Sequence, residues 1–308
     1  MKVLGILCPG QGDHHSAMFD KLVGSQAAES AMDAAATVLG CHPVAYYQQL
    51  SLRDSFSNRP AQLLIGTLQM SMWMALRDQL PVPQVFLGYS MGELVAYGCA
   101  GALDVEATLA LMERRATLMD EVSPHPAGLM AVRGLARQEV NALCRATGVE
   151  VAIINSPDHF ILGGPEEALR DCESSPFTAR ATTLKRLQVT VPSHTSWLSE
   201  SSRTFGGELT TSSLHAPDPP VLAGVSGAVV RTREDAILAL ARQISQPINW
   251  LACLQTAIEM GVGVFLELGP GNALSKMLQE IAPDAKVRST EHFRSLQGIA
   301  AWAMKHFS

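Results

Sequence analysis

Short apolar runs alternate with longer amphipathic stretches along most of the chain, and this alternation narrows the fold more than any other feature. Residues 3–8 and 85–88 are brief, continuous apolar runs of the kind buried on both faces of a parallel sheet. Helical spacing marks residues 16–39, 60–79, 92–100 and 105–122 between and after them. Strand–helix alternation of this sort predicts an α/β fold, with a mostly parallel sheet covered by helices on both faces.

The middle of the chain reads differently. Residues 128–132 predict a strand and 136–146 a helix. Residues 151–155 and 160–163 predict a hairpin around Ser156-Pro157-Asp158, followed by a helix at 166–172 and a strand at 179–187. The order β-α-β-β-α-β is that of a ferredoxin-like unit. The expected organisation is therefore a core of residues 1–125 and 192–308 with a small subdomain, 126–191, inserted into it. In the second part of the core, helices are expected at 196–209, 234–244, 250–260 and from 272 onward, with strands at 220–223 and 264–268.

Composition excludes several classes. A chain of 308 residues, 47% hydrophobic and 17% charged, is long enough for a large core. Its net charge of −6 argues against nucleic-acid binding, which needs a basic face. The six cysteines are scattered with no CxxC pair, so reduced thiols are expected, with no metal site and no disulfide framework. The apolar run after Met1-Lys2 is too short for a signal-peptide core and reads as a buried strand. No stretch approaches ~20 uninterrupted apolar residues, so no membrane-spanning helix is expected. A cytoplasmic protein follows as the expectation, and a monomer, because no heptad pattern stands out.

The chemistry points to Gly88-Tyr89-Ser90-Met91-Gly92. A G-x-S-x-G between an apolar strand and a helix is a nucleophile elbow: the glycines permit the sharp turn, and the serine hydroxyl projects from the end of the sheet. The backbone N–H of Met91 then points to where an oxyanion would form. The pentapeptide alone also suits a plain turn. A serine nucleophile needs a base. His194, in Val191-Pro192-Ser193-His194, is the first candidate, with His14 and His15 as competitors beside the loop Pro9-Gly10-Gln11-Gly12. That loop lacks both the phosphate-loop ending and the dinucleotide spacing, so nucleotide binding is disfavoured. Arg115 lies among Leu109, Met112, Ala116 and Met119 on a helix. Inward-facing it could grip a carboxylate; outward-facing it would be an ordinary surface charge. The stretch 265–272, ending Gly269-Pro270-Gly271-Asn272, reads as structural.

Together these pieces resemble the malonyl-CoA:acyl carrier protein transacylase family over nearly the whole chain. The resemblance rests on an ordered set: Pro9-Gly10-Gln11-Gly12, Gly88-x-Ser90-x-Gly92-Glu93, Arg115, Asn155-Ser156-Pro157, Pro192-Ser193-His194, Gln243 with Pro247 and Trp250, and Glu267-Leu268-Gly269-Pro270-Gly271. It implies a hydrolase-like α/β core with a ferredoxin-like insert. It implies Ser90 as nucleophile, His194 as base, and the main-chain carbonyl of Gln243 as the group orienting the imidazole. The N–H groups of Gln11 and Met91 would form the oxyanion hole, and Arg115 would hold the malonyl carboxylate, with Tyr89 and Asn155 also facing substrate. No bound cofactor or metal is implied: malonyl-CoA is the donor and a phosphopantetheine-type thiol on an acyl carrier protein the acceptor.

Four departures from the fatty-acid form stand out. Tyr89 replaces a histidine, Arg59 replaces a glutamine before Pro60, Leu222-Ala223-Gly224-Val225 lacks the usual paired asparagines, and residues 293–298 differ. In these the chain resembles the acyltransferase subunit of bacterial malonate decarboxylase. Serine thioesterases or lipases share the elbow but normally add an acid between the serine and a late histidine. A silent module that docks a carrier protein would need none of these groups.

Overall fold

The computed structural model describes residues 3–307. Six strands, in the order β11 (Lys286–Ser289), β10 (Val262–Glu267), β1 (Val3–Cys8), β2 (Val85–Gly88), β7 (Val221–Leu222) and β8 (Val229–Val230), make the larger sheet. All its neighbours are parallel except the β7–β8 edge pair. Along β1 and β2 successive side chains enter different cores. Leu4, Ile6, Cys8 and Phe86 face the cluster built on the helix Asn58–Leu76, while Leu7, Val85 and Leu87 face a second cluster. Both faces are dry, which is why these strands read as unbroken apolar runs.

A second sheet runs β6 (Thr183–Arg186), β3 (Ala127–Arg133), β5 (His159–Pro165), β4 (Glu150–Ser156), β9 (Ile248–Asn249). Its first four strands are antiparallel neighbours in ferredoxin-like order, and two helices, Arg137–Thr147 and Glu166–Ser174, lie between them in sequence. One face, Met130, Val132, Phe160 and Leu162, packs against Val140, Leu143 and Leu169 of those helices. The opposite face, Leu129, Ile153 and Ile161, joins Leu7, Val85 and Leu222 of the larger sheet in one cluster. The period-2 alternation of these strands thus serves two separate cores.

The fold is α/β, as the alternation predicts, but β8, β11 and the helices Pro43–Gln49 and Leu296–Met304 lie outside the expected elements, and other stretches differ locally. The stretch 16–39 is not one helix. A single turn at Asp20–Leu22 is followed by Gly24 at φ +81°, and Ser25, accepting from Ala28 N–H, starts the helix Gln26–Leu39 anew. In the stretch 179–187 the first residues belong to a turn begun by Pro176, leaving β6 as four residues. The second sheet also gains a strand from outside residues 126–191: β9 pairs in parallel with β4, Ile248 opposite Ile153. β7 is the strand expected at 220–223, shortened to two residues, whereas β8 and β9 carry no periodicity and are set by tertiary pairing.

Ile248 is wholly buried where β9 joins the two sheets. Ile248→Ala is expected to lower the unfolding free energy by ~2–5 kcal/mol in urea titrations, as for other buried aliphatic truncations. A loss below ~1 kcal/mol would mean that this strand does not tie the sheets together.

Candidate active site

The elbow is built by close backbone approach. Strand β2 ends at Gly88, where a Cβ would lie 2.1 Å from the Glu93 Cα, and at Gly92 a Cβ would lie 2.0 Å from the Cys8 carbonyl oxygen. Only hydrogen fits at either place. Tyr89 N–H donates to Cys8 O at 2.9 Å, and the helix Gly92–Cys99 starts at once. Between them Ser90 sits at φ +57°, a left-handed conformation that costs a non-glycine residue ~1 kcal/mol or more and turns its side chain out of the sheet.

Ser90 Oγ lies 2.8 Å from His194 Nε2. On the other side of the ring, His194 Nδ1 makes a short hydrogen bond to the main-chain carbonyl of Gln243. A carbonyl can only accept, so Nδ1 carries the hydrogen and Nε2 is left as the acceptor for the Ser90 hydroxyl. His194 is itself held at φ +65°, with its N–H donating to Ile244 O at 2.8 Å. Burial pushes its pKa down to about 3, the neighbouring Arg115 charge adds to the fall, and the Gln243 carbonyl opposes it. The imidazole is therefore neutral and basic in form at ordinary pH. His14 and His15 are elsewhere: His14 is buried against Phe56 beside Ser55, and His15 meets Glu291.

Gln11 and Tyr89 line a cavity of about 50 Å³ with Ser90 and His194. Leu129, Leu187 and Val189 also line it and are shared with an adjoining cleft of about 850 Å³ that reaches the exterior. The loop carrying Gln11 is held by Gln69, whose Nε2 donates to Pro9 O at 2.8 Å. Among the described residues no carbonyl accepts from the backbone N–H of Gln11 or Met91. Neither N–H is thus committed to a backbone carbonyl. Tyr89 O–H donates to Asn155 Oδ1 at 3.1 Å, and its ring stands edge-on to Trp250 at 5.4 Å. Asn155 is buried at the end of β4, so this bond ties the elbow to the second sheet.

Arg115 is 1% exposed. Its Nη1 donates to Gln62 Oε1 at 2.6 Å and its Nη2 to Gln243 Oε1 at 3.3 Å, while Gln243 Nε2 donates to Ser90 O at 3.1 Å. One residue, Gln243, thus links the arginine, the imidazole and the elbow. Burial lowers the Arg115 pKa to about 10, still protonated at neutral pH, and among the described residues no carboxylate forms an ion pair with it. Glu93 acts on it electrostatically, but burial raises that carboxyl to about 8, despite the Gly224 N–H it accepts. Arg59 lies half-buried on Glu113 and Tyr46, and Arg114 on Glu208, so neither shares the position of Arg115. Gln62, Asn58 and Gln69 escape the motif reading, whereas Glu93 closes the elbow motif without a role being assigned to it. The signal of the three amides is faint: side chains one or two turns apart inside an otherwise apolar helix.

A neutral His194 gives a clear pH signature. Acylation of Ser90 by an activated ester such as p-nitrophenyl acetate should change less than about twofold between pH 8 and 5.5. A loss centred near the ordinary histidine pKa of 6.5 would contradict the buried neutral ring. The sign for stability also follows: the unfolded chain takes up a proton below about 6.5 that folded His194 refuses, so folding weakens as pH falls. Glu93 works in the other direction. Its raised pKa makes the folded state hold a proton that the unfolded chain releases above its ordinary value, so stability declines as pH rises toward 8. Glu93→Gln should raise Tm by ~2–5 °C at pH 8 and by less at pH 5. A difference that does not grow with pH would show that Glu93 is ionised in the fold.

Comparison with known proteins identifies the family. A malonyl-CoA–acyl carrier protein transacylase of Escherichia coli is 28% identical over 291 residues, 91% of this chain and 93% of that protein. A polyketide-biosynthesis malonyl-CoA–acyl carrier protein transacylase of Bacillus subtilis is 27% identical over 293 residues, 90% and 96% of the two chains. The solved structure of the malonyl-CoA–acyl carrier protein transacylase of Coxiella burnetii superposes with a TM-score of 0.91 at 25% identity, covering 99% of this chain and 98% of that one. The model of the acyl transferase domain family matches residues 6–292, so the chain belongs to that family and is an acyltransferase.

Proposed function

We propose that this acyltransferase moves a malonyl group from malonyl-CoA to the phosphopantetheine-type thiol of an acyl carrier protein, through an ester on Ser90. The observation that carries the reading is a serine–histidine pair beside a buried arginine that has no carboxylate partner. His194 Nε2 takes the Ser90 proton as Oγ attacks the thioester carbonyl. The oxyanion forms against the N–H groups of Gln11 and Met91, each contributing up to ~3 kcal/mol to the barrier reduction. The tetrahedral intermediate expels coenzyme A as its sulfur recovers the proton from His194. The carrier thiol then attacks the malonyl-serine ester by the reverse sequence, giving ping-pong kinetics.

Arg115 supplies the selectivity. A buried guanidinium is costly unless a charge of opposite sign meets it. The free carboxylate of a malonyl group meets it; an acetyl group leaves it unpaired. The names carried by the relatives favour a general or polyketide carrier protein as acceptor over the carrier of a malonate decarboxylase. Orientation of His194 by a carbonyl, with no carboxylate on Nδ1, separates the site from the usual serine thioesterase.

Intact-mass measurement after mixing with malonyl-CoA or acetyl-CoA tests this directly. A malonyl adduct should appear on the wild type and vanish in Ser90→Ala. Acetyl labelling should be at least ~10-fold slower and should catch up in Arg115→Ala, the usual scale for losing one charge-assisted contact. Equal labelling by both thioesters, or rapid turnover to free malonate without a carrier, would defeat the reading.

A further inference from the structure

The arginine that the proposed function uses is held by a chain of buried amides that no motif announces. Asn58 and Gln62 lie one turn apart on the helix Asn58–Leu76, facing Arg115, Ala116 and Asp120 on the helix Val105–Val122. Arg115 Nη1 donates to Gln62 Oε1 at 2.6 Å, and Gln62 Nε2 donates to Asn58 Oδ1 at 2.6 Å. Asn58 Nδ2 donates onward to Ala116 O at 3.1 Å and to Asp120 Oδ1 at 3.0 Å. Gln62 is 0% and Asn58 2% exposed.

The two ends of this chain fix its polarity. A guanidinium can only donate, and the Ala116 carbonyl can only accept. Asn58 must therefore present its NH2 to Ala116 and its oxygen to Gln62, and Gln62 must present its oxygen to Arg115. Both amide dipoles thus direct their negative ends toward the guanidinium. This orients and partly solvates the cation without neutralising it, because a dipole cannot cancel a net charge. A carboxylate in place of Gln62 would still accept from Arg115, but it would lose the N–H donated to Asn58 Oδ1 and would compete with any incoming acid.

We propose that Gln62, anchored by Asn58, is a positioning residue that sets acyl selectivity: it fixes the Nη1 edge of Arg115 and leaves the positive charge available to the carboxylate of the donor acyl group. The inference deepens the malonyl-transfer reading and rests on it. Arg115 retains unspent donors for the substrate, since five N–H bonds serve only Gln62 and Gln243. Its Nε, buried without a partner, is one of them.

Two substitutions of similar volume separate this role from packing. Gln62→Met keeps the space filled but removes the acceptor; Gln62→Glu keeps the acceptor but adds a charge. Rates of acyl-enzyme formation with malonyl-CoA and with acetyl-CoA would be measured for both variants, for Arg115→Ala, and for Gln62→Met combined with Arg115→Ala. The malonyl-to-acetyl ratio should fall about tenfold in Gln62→Met, mainly through weaker apparent affinity for malonyl-CoA. It should fall further in Gln62→Glu, whose carboxylate occupies the arginine. In the Arg115→Ala background Gln62→Met should leave that ratio where Arg115→Ala put it, since its effect passes through the missing guanidinium. A ratio unchanged by both single substitutions at 62, while Arg115→Ala collapses it, would overturn the role of Gln62 and leave malonyl selection by Arg115 standing. A Gln62→Met effect of equal size with and without Arg115 would likewise reduce Gln62 to packing. A ratio unmoved by Arg115→Ala would overturn the carboxylate clamp itself, and this inference with it.

Discussion

The hydrogen bond from His194 Nδ1 to the Gln243 carbonyl is the contact on which the site depends. It selects the tautomer that leaves Nε2 free for Ser90, and it does so with an uncharged partner. The same residue's side chain meets Arg115 on one side and the carbonyl of Ser90 on the other. Base, cation and elbow are therefore indexed to a single peptide at the end of the helix Arg233–Ser245. Displacing that helix end would misplace all three together.

A carbonyl in the place of a carboxylate also settles the electrostatics. A carboxylate on Nδ1 would raise the imidazole's pKa and would draw Arg115 as a partner. With a carbonyl there, the strongest ionic influence on His194 is the arginine, and it acts in the same direction as burial. Glu93 is the acid within electrostatic reach of Arg115, and burial makes it favour the protonated form. The centre accordingly carries net positive charge, suited to the two negative groups the proposed reaction brings in: the acyl carboxylate and the transient oxyanion.

Much of this was legible in the amino-acid sequence because it depends on local pattern. The doubly buried strands β1 and β2 declare themselves as unbroken apolar runs, and the elbow glycines are required by backbone contacts of about 2 Å that admit no side chain. The order of the small unit's strands followed from period-2 alternation, which survives because each of its faces has its own core. What escaped was set by distant partners. Strand β9 is two residues long and exists because β4 offers an edge. Nothing near Asn58 or Gln62 distinguishes them from ordinary helix polar residues; only the facing helix gives them meaning. His194 is preferred to His14 and His15 for its place between the small unit and a helix, and the resemblance strengthens that preference; sequence alone gives no contact that separates the three.

The two side chains that meet over the cavity, Ser90 and His194, both sit at positive φ, an uncommon state for residues with a Cβ. Each is held there by its surroundings: Ser90 by the close passage of Gly88 and Gly92, His194 by its backbone bond to Ile244. A relaxed serine would turn its hydroxyl back toward the sheet, and a relaxed histidine would lose either Gln243 or Ser90. The strain, ~1–3 kcal/mol per residue, is small beside the burial of the two cores that enclose it. The same packing that imposes the strain also maintains it. The packing of two sheets, joined through Ile248 and the Tyr89–Asn155 bond, leaves these backbones no lower-energy place to go.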